Sequence, residues 1–403
     1  MRLLIFNAGS SSLKFELLEL ASGPASRLAS GTFADEDGTG QYRLKSNPAD
    51  TSRSPAVRTL AEAAKHALDW LAGGPGHGRD LLAAVEATAH RIVHGGARFH
   101  ATTRLGDAEL AALSELSPLA PLHNPPALAV IGAVRERLGS KLPLLGVFDT
   151  AYFAQLPESA YRYAIPAEWS QRLGVRRYGF HGIAHRYLCQ QARGLLGARV
   201  AEPRIISLQL GRGCSVTATV NDQPIATSMG FTPLEGLVMG TRSGDIDPGA
   251  ILYVMERTGL APDAMRRALN ESSGLLGLSS RSADMRELLA LEQSRDPAAM
   301  LAIEVFCRRA RHYVGGFLAE LGGADAIVFG GGIGENCPDI RRRIAGRLEW
   351  AGIRLRAESP GVASGATGLH DPASSAAVYV VPVDEGAVMA DEARSVLQRS
   401  RGP

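Results

Sequence analysis

Several short stretches of this sequence hold residue types that do chemistry on anions. Asn7-Ala8-Gly9-Ser10-Ser11-Ser12-Leu13-Lys14-Phe15 puts a turn of tiny residues directly after the apolar run Leu3-Leu4-Ile5-Phe6. Backbone N–H groups and hydroxyls in such a turn can converge on a phosphate. Lys14 adds a point charge on the returning strand, and Asn7 can reach a metal-bound water or a phosphoryl oxygen. Taken alone, a Gly/Ser-rich hairpin is more often only a tight turn. His90 to Gly96 sets Arg91 beside Val93 and two glycines, which makes either a clamp for a small carboxylate or an ordinary surface loop. Arg176 to Gly182 adds Tyr178, Phe180 and His181, where a structural histidine is the common alternative. Gly240 to Gly249 combines Arg242 with Asp245 and Asp247, more charge than a plain turn needs. Late in the chain, Val378-Tyr379-Val380-Val381 runs out to Asp384-Glu385-Gly386, where a carboxylate could hold magnesium. Arginines, a histidine and carboxylates around anion-binding turns, with no Ser-His-Asp arrangement or metal cage, favour phosphoryl transfer. Each preorganised donor in such a site is typically worth about 3 kcal/mol of barrier.

These residues need a scaffold, and strand-like and helix-like segments alternate along the whole chain. Pro55 to Leu71 repeats apolar residues at helical spacing and is stopped by Gly73-Gly74-Pro75. Asn124 is placed to cap a helix that has Pro125 and Pro126 in its first turn and ends at Gly139. The strand Leu144 to Phe148 then delivers Asp149 at its carboxyl end, where ligands gather in α/β sheets. A long amphipathic helix from Pro297 to Leu321 feeds the strand Ala326 to Phe329 and a glycine cluster, Gly330-Gly331-Gly332-Ile333-Gly334-Glu335. That cluster suits close approach to a nucleotide, although it is neither a Walker A nor a clear Rossmann motif. One echo stands out. Ile205 to Leu210 enters Gly211-Arg212-Gly213-Cys214-Ser215 and leaves as Val216 to Val220, which repeats the strand, small turn and strand of the N-terminus. The pattern predicts an α/β protein of two similar halves, with a small-residue turn in each half to grip one nucleotide.

Composition sets the outer limits. A chain of 403 residues with 45% hydrophobic and 21% charged content is expected to fold as two domains of an ordinary globular protein. A net charge of +2 gives no reason to expect nucleic acid, and the Arg341-Arg342-Arg343 run reads as a solvated helix face. Four cysteines without close pairing fit a reducing compartment. No apolar run is long enough for a bilayer or for a signal-peptide core, so the expected location is cytoplasmic, with no membrane partner.

The blocks Asn7 to Phe15, His90 to Gly96, Pro121 to Pro125, Phe148 to Ala151, Arg177 to Gly182, Ser228 to Leu237, Gly240 to Pro248, Ser273 to Gly277, Asp284 to Arg286 and Gly331 to Asn336 occur in the order found in acetate kinases. Across nearly its whole length the chain resembles that family, the acetokinases of the actin and sugar-kinase superfamily. The resemblance implies duplicated actin-like (ribonuclease H-like) α/β domains around a central nucleotide cleft. The first would span residues 1–150, with a C-terminal helix over 386–403 packing back on it, and the second residues 151–385. It also implies a homodimer and reversible transfer of the ATP γ-phosphoryl group to acetate or another short carboxylate. In that reading Asn7 and Glu385 bind Mg²⁺, or Mn²⁺ in its place. Asp149, His181 and Arg242 are catalytic. Arg91 holds the carboxylate, and Val93, Leu122, His123, Phe180 and Pro233 complete the acceptor site. ATP or ADP would meet Lys14, the turn Gln209-Leu210-Gly211-Arg212-Gly213, the segment Asp284-Met285-Arg286 and the loop Gly331-Gly332-Ile333-Gly334-Glu335. A methylene more or less in an apolar pocket changes discrimination only about 10- to 200-fold, so propionate is the alternative acceptor.

The departures from the family pattern concentrate in the second turn. Members usually read His-Leu-Gly-Asn-Gly where this chain reads Gln209-Leu210-Gly211-Arg212-Gly213. Glutamine keeps a donor but loses the titratable ring, and arginine replaces a short amide with a fixed cation. A different phosphoryl donor such as pyrophosphate, slower product release and a catalytically silent nucleotide-binding protein are the readings this change opens.

Overall fold

The computed structural model describes residues 1–9, 12–21, 23, 25–34, 43–47, 57–73, 80–357 and 365–399. They fall into two compact units, Met1–Tyr152 with Asp384–Pro403, and Phe153–Val383.

The first unit is built on strands β1 (Arg2–Ala8), β2 (Ser12–Glu19), β3 (Ser26–Ala34), β4 (Arg43–Asn47), β5 (Ala87–Ile92), β6 (Thr103–Arg104) and β7 (Leu144–Phe148), in the spatial order β4-β3-β2-β1-β5-β7-β6. β1 pairs antiparallel with β2 and parallel with β5, and β5 pairs parallel with β7. Every residue of β7 is buried, as expected of a parallel strand covered on both faces. Helices Leu60–Gly73 and Asn124–Leu138 bury Leu68, Trp70, Leu71, Val130 and Val134 in the core formed by Leu4, Phe6, Leu13, Phe15 and Leu17. Phe15 meets Trp70 edge-on at 5.6 Å between ring centroids. Gly31 on β3 allows this packing, because a Cβ there would sit 2.5 Å from the Phe15 ring.

The second unit repeats the pattern. Strands β8 (Arg204–Leu210), β9 (Cys214–Val220), β10 (Gln223–Thr227), β11 (Ala326–Gly330), β12 (Thr367–Gly368) and β13 (Ala377–Val380) lie in the order β10-β9-β8-β11-β13-β12. β8 pairs antiparallel with β9 and parallel with β11, and β11 pairs parallel with β13. The sheets correspond strand for strand, down to a short antiparallel edge strand beside β7 in one and β13 in the other. Only β4 has no counterpart among the described residues. The duplicated α/β architecture expected from the two echoing hairpins is therefore present.

Three local expectations are corrected. Asn124 does not cap its helix: its side chain accepts a hydrogen bond from His94 N at 3.2 Å and donates to His94 O at 2.9 Å. It ties the 93–96 loop down instead, and the N-cap residue is His123, without a side-chain bond. The first helix begins at Leu60, where Thr59 Oγ1 accepts from Glu62 N; residues 55 and 56 and the expected Gly74-Pro75 stop lie outside the described residues. The triple arginine is not a solvated face. Arg341 is 2% exposed and donates to the carbonyls of Gly334 and Glu335, while Arg343 grips Glu292 with two bonds, leaving Arg342 as the outward member. All four cysteines are buried free thiols. Among the described residues no helix is long and apolar enough to cross a membrane.

Candidate active site

In the first unit, β1 and β5 run parallel and bring Asn7, at the end of β1, to the level of Arg91 on β5. Arg91 grips Asp149, the residue that follows β7, through Nε at 3.1 Å and Nη2 at 2.6 Å, and Nη1 donates to Asn7 Oδ1 at 3.0 Å. The Asn7 amide in turn donates to Glu385, the first residue of the helix Glu385–Arg399. Burial works against the Arg91 charge, but Asp149 and Glu385 outweigh it and hold the guanidinium pKa above its ordinary value. Asp149 is wholly buried, and each of its carboxylate oxygens accepts a hydrogen bond from Arg91. These bonds use three of the five guanidinium N–H donors. The other two have no partner among the described residues.

Lys14 stands opposite Asn7 across the β1–β2 ladder, on the exposed side of β2. In the turn between these strands Gly9 N bonds Ser12 O at 2.8 Å, and Ser10 and Ser11, expected to bind phosphate, lie outside the described residues. Val93 is buried, Leu122 is exposed, and His123 is half-buried where the polypeptide enters the helix Asn124–Leu138.

In the second unit, Gly211-Arg212-Gly213 closes the β8–β9 hairpin. Around it the chemistry gathers. A Cβ on Gly213 would lie 3.3 Å from both Cε1 and Nε2 of His181 and 3.6 Å from Nη1 of Arg242. The turn, the Nε2 edge of the imidazole and the guanidinium therefore face one another. His181 takes a left-handed backbone (φ 58°) as N-cap of the helix Gly182–Leu196, and this conformation turns its ring back over the hairpin. Arg242 Nη1 is tied to Pro233 O at 2.8 Å. Nothing but glycine fits at Gly274, which has φ 62° and where a Cβ would lie 2.2 Å from Met239 O and 2.6 Å from Arg242 O.

The same turn opens onto a pocket of about 840 Å³, lined among others by Gly211, Arg212, Asp284, Met285, Gly332 and Ile333. Arg286 also reaches it. Asp284 caps its own helix through Arg286 N, and its side-chain bonds to Arg286 hold the carboxyl below the usual carboxylate range. Cys337 and Asn336 line the same pocket; Asn336 lies in the block Gly331 to Asn336 but has no role assigned there, and Cys337 has no site signal in the sequence. The glycine loop is itself a helix, Gly331–Asn336, rather than a loop before one. Gly331 needs its positive φ of 77°, since a Cβ would lie 2.6 Å from Leu210 O. Glu335 does not line the pocket; its Oε1 accepts from Gly331 N and Val383 N, which fixes the helix start. Gln209 and Leu210 lie in β8 beneath the turn, and the Gln209 amide oxygen is buried with no hydrogen-bond partner among the described residues.

The carboxylates of the 240–249 segment are structural. Asp245 accepts from Gly236 N and from the Tyr313 hydroxyl, each at 2.8 Å, and pairs with Arg309, whereas Asp247 caps the helix Pro248–Thr258. A second group escaped the sequence reading. Arg177 binds Glu235 at 2.6 Å and the carbonyls of Ser228 and Met229, and Tyr163 also bonds Glu235. Together they hold the 228–237 segment, which carries Pro233. Phe180 is buried.

Comparison with known proteins places nearly the whole chain in one family. A family model described as the acetokinase family matches residues 2–391. An acetate kinase of Solibacter usitatus is 41% identical over 98% of this chain and 99% of its own length. The crystal structure of Porphyromonas gingivalis acetate kinase superposes with a TM-score of 0.88 at 35% identity, covering 98% of this chain and 99% of that one. A propionate kinase from Francisella tularensis reaches 0.87 at 32% identity, covering 97% and 98%.

Proposed function

The chain belongs to the acetokinase family, and from that premise we propose that it is an acetate kinase, which transfers the γ-phosphoryl group of ATP reversibly to acetate and yields acetyl phosphate and ADP. The convergence of the His181 Nε2 edge and the Arg242 guanidinium on Gly213, in a turn that opens onto the 840 Å³ pocket, carries this reading. Phosphoryl transfer asks the protein for positioning and for charge neutralisation around the equatorial oxygens, and the imidazole and guanidinium at a glycine turn are placed to supply the second. The pocket's Met285 and Ile333 offer an apolar surface for a base, and Arg212 and Arg286 offer charge for phosphates.

In the first unit, Arg91 holds the acetate carboxylate with its two remaining donors, and Asp149 keeps the guanidinium charged and oriented. Val93, Leu122 and His123 of this unit set acceptor size. The carboxylate oxygen attacks the γ-phosphorus in line, so the reaction inverts configuration at phosphorus.

Asn7 and Glu385 fit a divalent cation. Magnesium keeps several waters and takes one or two protein oxygens besides those of phosphate. A larger cluster of protein ligands is not required, and among the described residues no group of three His, Cys, Asp or Glu is present. Asn7 Oδ1 and the Glu385 carboxylate are the oxygens on offer, and Mn²⁺ would use the same pair. The ion would neutralise charge on the transferring phosphate.

Acyl phosphate formation, trapped as the hydroxamate, tests the assignment with acetate, propionate and butyrate as acceptors and ATP and pyrophosphate as donors. The expected result is highest kcat/KM with acetate and ATP. A preference for propionate would favour the reading suggested by the Francisella relative, and a preference for pyrophosphate would trace to Arg212. Absence of any acyl phosphate would overturn the proposal.

A homodimer belongs to the same reading. The helix Pro248–Thr258 buries none of its residues within this chain and exposes Leu252 (61%), Tyr253 (59%) and Val254 (42%), apolar surface that a second copy would cover. Tyr253→Glu is expected to convert a dimer into a monomer in sedimentation velocity; a dimer of unchanged strength would remove this face from the interface. The four free thiols suit a reducing, cytoplasmic setting.

A further inference from the structure

Behind His181 runs a line of buried polar groups that the proposed chemistry does not itself touch. His181 Nδ1 lies 2.9 Å from Ser215 Oγ, Ser215 Oγ lies 2.7 Å from His185 Nε2, and His185 Nδ1 lies 2.8 Å from Ser207 Oγ. Ser207, Ser215 and His185 are completely buried. The two histidines stand one helical turn apart on the helix Gly182–Leu196, with His185 N donating to His181 O, so their rings share one face above β8 and β9. Burial pushes the His185 pKa down to about 3. Its ring is therefore neutral, with one N–H and one bare nitrogen.

The direction of every bond follows from the far end of the line. A backbone carbonyl only accepts, and Thr217 O is a long acceptor for the Ser207 hydroxyl, at 3.5 Å against 2.8 Å to His185 Nδ1. With that proton turned to His185 Nδ1 every bond of the line would reverse; with it turned to Thr217 O, Ser207 receives the Cys189 thiol and His185 Nδ1–H. His185 Nε2 is then the bare nitrogen and accepts the Ser215 hydroxyl proton. Ser215 has only lone pairs left to offer His181, so the proton between them belongs to His181 Nδ1.

We propose that Ser207, His185 and Ser215 form a one-way hydrogen-bond relay that fixes His181 as an Nδ1–H donor to Ser215 and leaves its Nε2 edge turned toward Gly213 and Arg242. Neutral His181 then has a bare Nε2, which repels phosphoryl oxygens. Only the cationic ring donates from Nε2, and the Ser215 lone pair stabilises that cation through a charge-assisted bond. His185 and Ser215 are thus positioning residues. The catalytic consequence rests on the phosphotransferase reading; the bond directions do not.

The test uses the intact protein labelled with ¹⁵N-histidine, with ring tautomers read near neutral pH from two-bond ¹H–¹⁵N correlations. The expected result is His185 as the neutral Nδ1–H tautomer and His181 protonated at Nδ1. An Nε2–H or cationic His185, or a bare His181 Nδ1, would overturn the relay. In kinetics, Ser215→Ala should lower kcat about 10- to 100-fold, the range for loss of an outer-shell partner. KM for acetate and for ATP should each stay within about threefold, the signature of an interaction made only in the transition state. Ser215→Thr, which keeps the hydroxyl, should recover most of the loss. Undiminished kcat in Ser215→Ala, or equal loss in both variants, would also overturn it. A wild-type protein that forms no acyl phosphate would count against the proposed function instead, and the tautomers would still decide the relay.

Discussion

Arg242→Ala should reduce kcat for acetyl phosphate formation by about 100- to 1000-fold while KM for acetate changes little. The size follows from the environment. Arg242 is held by one nitrogen on Pro233 O, and the same nitrogen lies 3.6 Å from the place a Gly213 Cβ would take, so the guanidinium is aimed before any ligand arrives. A donor fixed in advance costs no reorganisation when charge develops, and one such donor is worth about 3 to 4 kcal/mol of barrier. Lysine at this position should restore little, since it cannot keep the bond to Pro233 O and present a second nitrogen in the same plane. His181→Ala should act on the same step. Because the proposed mechanism has both side chains serve one group of oxygens, the double variant should lose much less than the product of the single losses. Steady-state and single-turnover assays decide it. An Arg242→Ala enzyme with normal kcat and a raised KM for ATP would make Arg242 a nucleotide-binding residue, without a part in the transition state.

The architecture was readable because it rests on repetition and periodicity. The hairpins at Gly9 and Gly211 echo each other in sequence, and the sheets built on them share one strand order. The long helix Pro297–Leu321 was bounded correctly by an apolar stripe and a glycine pair. Charged and polar side chains that bond to the backbone were not readable in the same way. Asn124 looks like a cap and instead clamps His94, Arg341 looks solvated and instead caps Gly334 and Glu335, and Glu335 looks like a ligand residue and instead anchors Gly331. In each case the partner is a main-chain atom with no identity in the sequence, so residue type and spacing cannot select it. Ser207 and Ser215 were hidden for another reason, since their partners are histidine side chains that only tertiary packing brings near. They read as ordinary strand residues, and only the packing of the helix Gly182–Leu196 against β8 and β9 shows what their hydroxyls do. Motif resemblance reached the residues that would meet ligand. Of the groups that hold those residues in place it named Asp149, which grips Arg91, but not Ser207 or Ser215.

Asp149→Ala should be the most destabilising single change in the first unit. Asp149 is wholly buried and the Arg91 side chain is 12% exposed, so the substitution leaves a cation in the interior with Asn7 Oδ1 as its nearest acceptor. Breaking a buried pair from one side typically costs about 3 to 5 kcal/mol, far more than the pair's net worth, because the remaining charge keeps its desolvation penalty. For a unit of this size that corresponds to a fall in melting temperature of roughly 6 to 20 °C. Arg91→Met in the Asp149→Ala background removes the stranded charge and should recover a substantial part of the loss, a coupling that a double-mutant cycle measures directly. Two compact units need not unfold together, so hydrogen exchange of β1, β5 and β7 reports the effect more cleanly than a whole-chain melt. Stability and activity should then part company. The Arg91→Met, Asp149→Ala protein should be folded and unable to use acetate, whereas Asp149→Asn should keep Arg91 roughly in place and show mainly a raised KM for acetate. If Asp149→Ala melts with the wild type and its first-unit strands exchange no faster, the buried pair is not what holds Arg91, and the acceptor site must be oriented by Asn7 and Glu385 alone.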